Sequence, residues 1–237
     1  MKGLVDAEQA TRMLAYFQRH DVLDANGLAG PPDQLRTGKA MPSYALRAVL
    51  ENSEIRALMQ APRVLRVASA YLGCKPTLSS IGVRWSYPGN PKPGATQQFH
   101  RDPDDWKFLK LFVYLTDVDE DCGPHTYVQG SHRTAGRMRA RPYPQATVDQ
   151  DYPGRARAIT GPRGTAFMAD TYGIHAGLVP TARPRLMLQV QYSLLPVFAF
   201  RYEPVALEAK AGMEPYVSRL LLRGSPAGPG AVEVPPY

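Results

Sequence analysis

Two textures divide the chain. Up to about residue 73 apolar positions recur at helical spacing, and from Thr77 they come in short runs separated by Gly and Pro. Asp6 suits the N-cap of a first helix whose third residue is Gln9, and Ala10, Met13, Leu14 and Phe17 then share one face. The stretch HDVLDANGLAGPPDQLRTG breaks that helix with Gly and Pro. A second helix opens at Pro62, carries the stripe Val64, Leu65, Ala68 and Leu72, and stops at Gly73.

The later runs are TLSSIGVRWSY, FLKLFVYLTDV, HTYVQG, RARAI, GTAFMAD and RLMLQVQYSLL. Many short strands at this spacing predict an antiparallel sandwich or barrel. Residues 134–155, rich in Arg, Pro and Tyr, read as an insertion loop, and YVSRLLLRG as a short helix near the C-terminus. The expected organisation is a single domain over 1–237: a helical N-terminal layer (1–75), a β core (76–200) and a C-terminal tail (201–237).

Composition narrows the class. A 44% hydrophobic content supports a real core, and no apolar run approaches the ~20 residues of a transmembrane helix. Acidic residues fall where a signal peptide would be apolar, so a cytoplasmic protein without membrane contact is expected. Cys74 and Cys122 are far apart and in no CxxC pattern, which argues against a disulfide framework or a cysteine zinc site. The formal charge of +7 fits an anionic substrate, nucleic acid or simple solubility. Arg133, Arg137, Arg139 and Arg141 read as a solvated loop.

The candidate chemistry starts in QQFHRDPDDW. His100 and Asp102, at i and i+2, face the same side of a strand and can supply two neighbouring positions on a metal. An HxD pair alone is weak evidence in a chain with five histidines. His175, in GTAFMADTYGIHAGLVPTARPRLMLQVQY, is the third candidate. Two histidines and one carboxylate match the facial triad of non-haem Fe(II) oxygenases, which leaves three positions for a bidentate oxo-acid and dioxygen. Such a cosubstrate needs a cation for its distal carboxylate. Arg185 and Arg183 compete for that role, and Arg185 is favoured because it begins the alternating run RLMLQVQY.

The order HRD, DVDEDCGPHTYVQGSHR, GTAFMAD, HAGLVPTARPR resembles the phytanoyl-CoA dioxygenase family of Fe(II)/2-oxoglutarate-dependent oxygenases. The resemblance spans roughly residues 80–192. Gln129 departs from it, since relatives often have proline before Gly-Ser-His. It implies a mainly β fold with flanking helices and a double-stranded β-helix core, a cupin-like jelly roll with iron at its mouth. It also implies Fe(II) on His100, Asp102 and His175, 2-oxoglutarate on Arg185, and O2-driven hydroxylation of a small or carrier-linked molecule with release of succinate and CO2.

Other positions stay open at this point. Lys110 shares a face with Phe112 and Tyr114, and if that face lines the barrel it contacts 2-oxoglutarate or substrate. If the face is outward, Lys110 is solvated and Leu109, Leu111, Val113 and Leu115 form the core, a reading the leucines slightly favour. Arg84 and Tyr87 lie on a strand of undecided parity. Trp106 either walls the pocket or packs on its rim, and neither His125 nor His132 is expected to bind metal. The alternatives to an oxygenase are a non-catalytic cupin-like binder of metal or ligand and, less favoured, a nucleic-acid dealkylating dioxygenase. The ten-residue step from His175 to Arg185 and the modest charge weigh against the latter.

Overall fold

The structure is a computed structural model that describes residues 1–24, 26–35, 41–89, 95–134, 142–207 and 214–224. Four helices lead the chain: α1 (Ala7–Phe17), α2 (Leu46–Glu51), α3 (Ser53–Met59) and α4 (Pro62–Leu72). The Asp6 side chain accepts from the Gln9 amide, and Gly73 closes α4 at φ 85°. Both ends form for the reasons legible in the chain.

Between α1 and α2 lie three two-residue strands, β1 (Val22–Leu23), β2 (Ala29–Gly30) and β3 (Ser43–Tyr44). The helical reading of residues 1–73 misses them because two residues carry no periodicity. The longer strands follow: β4 (Thr77–Ser86), β5 (Phe108–Tyr114), β6 (His125–Val128), β7 (Ala156–Ile159), β8 (Ala166–Ala169), β9 (His175–Gly177) and β10 (Arg185–Ser193). The chain then adds β11 (Val205–Leu207) and β12 (Leu222–Gly224), a parallel pair.

The large sheet runs β2-β1-β3-β4-β10-β5-β8, and the small one β7-β6-β9. All their pairings are antiparallel. They face one another as a jelly roll, tied at one point by Tyr114, whose hydroxyl donates to the Ile159 carbonyl at 2.7 Å and accepts from the His125 amide at 3.0 Å.

The large sheet is covered on both faces. Leu111, Val113, Leu186, Leu188, Val190 and Tyr192 pack outward against Met13, Phe17, Ile55, Met59 and Val64 of the helices. Phe112, Tyr114 and Met187 point inward. All seven residues of β5 are buried. This overturns the outward reading of Lys110: the leucines do form a core, but the opposite face lines the barrel interior instead of meeting solvent.

Two other expectations change. The 134–155 segment contains a helix, α5 (Gln145–Asp151), whose Val148 is buried. In YVSRLLLRG only the start is helical, within α6 (Pro215–Ser218), and its end becomes β12. Arg137, Arg139 and Arg141 lie outside the described residues. Among those residues no helix is long and apolar enough to cross a membrane.

Candidate metal and cosubstrate site

His100 and His175 lie opposite each other in an antiparallel bridge, exchanging backbone hydrogen bonds of 2.9 and 3.0 Å. The Asp102 amide extends the pairing by donating to the Thr171 carbonyl at 2.9 Å. His100 and Asp102 thus turn to one side while Arg101, between them, turns to the other. Arg101 is buried there and donates to the carbonyls of Ser131 and Tyr172 and to the Thr134 hydroxyl. It clamps the Gly-Ser-His turn onto the strand carrying the two candidate ligands. The Ser131 hydroxyl donates to the Val128 carbonyl and accepts from the Ile174 amide, next to His175.

The imidazoles are held by their Nδ1 atoms, 2.8 Å from the Gln98 carbonyl for His100 and 2.9 Å from the Gly173 carbonyl for His175. A carbonyl only accepts, so Nδ1 carries the proton and each Nε2 keeps its lone pair. The two Nε2 atoms lie 3.4 and 3.5 Å from the Asp102 oxygens. All three donors fall within 4.8 Å of one another, and His100 Nε2 has no hydrogen-bond partner. Burial pulls the His175 pKa down to about 4, more than Asp102 raises it, so the imidazole is neutral as ligation requires. Burial works to raise Asp102, but the adjoining His100 imidazole and the charge and hydrogen bond of Lys110 outweigh it and hold the carboxyl far below its usual range. Two imidazole nitrogens beside an ionised carboxylate are a set that fits a divalent metal.

These side chains open on a cavity of about 370 Å³ between the two sheets. Inward residues of the large sheet form rows across its strands: Ser86 and Arg185, then Arg84, Met187 and Tyr114, then Gly82, Gln189 and Phe112, then Ser80, Gln191 and Lys110. Arg185 is 2% exposed. One of its terminal nitrogens donates to Ser86 Oγ at 3.3 Å, while Nε and Nη1 have no partner among the described residues. Desolvation lowers its pKa to about 10, so it stays charged. A Cβ on Gly177 would come within 3.1 Å of this guanidinium, a tight contact that glycine avoids. An unpaired cation in such a place fits a carboxylate guest. Arg183 instead stands on the surface in an ion pair with Asp119.

Lys110 is 5% exposed and bonds Asp102 at 2.6 Å and Asp104 at 3.2 Å. Arg84 also reaches the cavity, half-buried and without an ion pair among the described residues. Burial lowers its pKa, with Asp102 opposing. Tyr87 has the other parity and stacks on Trp85, away from the cavity. Trp106 is 85% exposed and neither walls the cavity nor packs on its rim. His125 is buried, lines the cavity and stacks at 5.4 Å on His175, outside the cluster of three. Its place beside the candidate ligands had no spacing signal, whereas Gln189 and Gln191 alternate with Arg185 along β10.

A jelly roll with such a trio of donors beside a buried, unpaired arginine is the arrangement of a non-haem iron, 2-oxoglutarate-dependent oxygenase. The chain belongs to the phytanoyl-CoA dioxygenase (PhyH) family, whose pattern it matches over residues 1–185. The curated proteins contain no match to the sequence. Several solved structures share the fold. The 2-oxoglutarate-dependent epimerase SnoN from nogalamycin biosynthesis is 20% identical with a TM-score of 0.61, the alignment covering 80% of this chain and 75% of SnoN. HygX from Streptomyces hygroscopicus, solved with nickel and 2-oxoglutarate, is 16% identical with a TM-score of 0.55, covering 90% and 87%. AviO1 from Streptomyces viridochromogenes Tue57 is 16% identical with a TM-score of 0.52, covering 84% and 86%.

Proposed function

We propose that the chain hydroxylates a small molecule, with Fe(II) held by His100, Asp102 and His175 and the distal carboxylate of 2-oxoglutarate held by Arg185. The observation that carries this reading is the pairing of a three-donor cluster with a buried guanidinium that has two unpaired nitrogens. SnoN and HygX, which share the fold, are proteins solved with a metal and this cosubstrate. When bound, the iron lets O2 oxidise 2-oxoglutarate to succinate and CO2 and a substrate C–H bond to an alcohol.

The protein's own residues do the positioning. The Gln98 and Gly173 carbonyls fix the ring planes of the two histidines. Lys110 holds one Asp102 oxygen and stands in the row farthest from Arg185, so it belongs to the substrate end of the cavity. An anionic substrate group would meet Arg84. Both cysteines are free, which suits the cytoplasm.

The test is succinate release from 2-oxoglutarate in air. Succinate should form only with Fe(II), and His175→Ala should abolish it. Stoichiometric metal binding without succinate would favour the non-catalytic binder.

A further inference from the structure

The two ends of the large sheet's inner face differ in chemistry. Arg185 and Gln191 stand six residues apart on β10, about 20 Å at the usual strand rise. The row at Gln191 stands at the other end of the inner face from the proposed cosubstrate anchor.

That row is built for hydrogen bonding and lacks partners. Gln191 is 1% exposed, lines the cavity, and neither its amide nitrogen nor its amide oxygen has a hydrogen-bond partner among the described residues. An unpartnered buried amide is unfavourable in the empty protein, and a leucine would fill the position at lower cost. Its strand neighbours are Ser80 on one side and Lys110 on the other, and Gln189 follows one row away. The β4–β10 register shifts between Gln191 and Tyr192, and such irregularities re-aim side chains. Ser80 and Phe200 are also walls of a second cleft of about 380 Å³. That cleft, lined by Tyr202 and Glu203, adjoins the substrate end.

We infer that Gln191 recognises the primary substrate, and that this substrate is a polar molecule presenting a hydroxyl or amide to it, not the alkyl chain of an acyl thioester. The amide both donates and accepts, as a hydroxyl or an amide group does. An alkyl chain would leave both amide atoms desolvated and unpaired, which such sites reject strongly. The inference rests on the oxygenase reading, with Arg185 assigned to the cosubstrate.

The experiment uses full-length protein loaded with Ni(II) and 2-oxoglutarate. Binding of 2-oxoglutarate is measured first, and its absence would count against the oxygenase reading itself. Ligand-observed NMR is then run with three panels: monosaccharides and cyclitols, dipeptides, and C8–C16 fatty acids. Binding is expected from one of the two polar panels, which separates a carbohydrate from a peptide source. Gln191→Leu should weaken that binding about 10- to 100-fold, with Gln191→Asn between the two. Without substrate, Gln191→Leu should melt above the wild type. Binding of the fatty acids, silence from all panels, or a lower melting temperature for Gln191→Leu overturns the inference.

Discussion

Arg185→Met separates the cost of the arginine to the empty protein from its value to the complex. The wild-type guanidinium is 2% exposed, its one side-chain bond goes to Ser86, and two of its nitrogens are unpaired. Desolvation opposes its charge strongly enough to bring the pKa to about 10. An apolar side chain of similar length removes that burden, so the metal-loaded variant without cosubstrate should melt above the wild type. With 2-oxoglutarate the order should reverse, because a buried carboxylate without its cation costs on the order of 3–5 kcal/mol. At 1.4 kcal/mol per decade this is a loss of roughly 10²- to 4 × 10³-fold in affinity. The assay is thermal melting across a 2-oxoglutarate titration, with calorimetry of metal binding alongside. Arg183→Ala, on the exposed ion pair with Asp119, should match the wild type throughout. An Arg185→Met protein that binds 2-oxoglutarate like the wild type would refute the assignment, and a large effect of Arg183→Ala would transfer it.

Other outcomes follow from the same geometry. His100→Ala and His175→Ala should each lose stoichiometric divalent metal, read by equilibrium dialysis, since two protein ligands do not hold a labile ion. Lys110→Met should leave half-buried Asp102 without its 2.6 Å partner, so the metal-free protein loses stability while Ni(II) restores more than it adds to the wild type, read as the two melting shifts. The metal-free protein should also weaken as pH falls from 6.5 towards 4. Burial lowers the folded His175 pKa to about 4, so the unfolded chain takes up a proton first, and His175 alone contributes a loss of about 3 kcal/mol across that window. Urea unfolding at pH 7 and pH 5 reads it, and equal stability at both would contradict the buried neutral imidazole.

The parts legible in the sequence were those written locally. Asp6 and Gly73 act at the ends of their own helices, and the i, i+2 spacing of His100 and Asp102 sets their common face without further context. Arg185 was separable from Arg183 because one begins an alternating strand and the other sits in a turn. Lys110 was harder. Its parity was visible, but which face of β5 met the barrel depended on helices more than thirty residues upstream covering the leucines. His125 and Arg84 reach the cavity only through strand pairing distant in sequence, so no spacing announced them, whereas Gln191 follows Arg185 by alternation along β10. Trp106 shows the opposite failure, since closeness in sequence to the triad did not put it in the cavity.

In the proposed function His100, Asp102 and His175 hold Fe(II) with positions free for a 2-oxo acid that Arg185 anchors. Anaerobic titration of Fe(II)-loaded protein with 2-oxoglutarate, followed by visible absorption, tests it most directly, because a 2-oxo acid chelating Fe(II) gives a charge-transfer band. The account predicts a band that saturates at one equivalent of iron per chain, is lost in His175→Ala, and needs far more 2-oxoglutarate in Arg185→Met. Iron bound at one equivalent with no band at any 2-oxoglutarate concentration would contradict it.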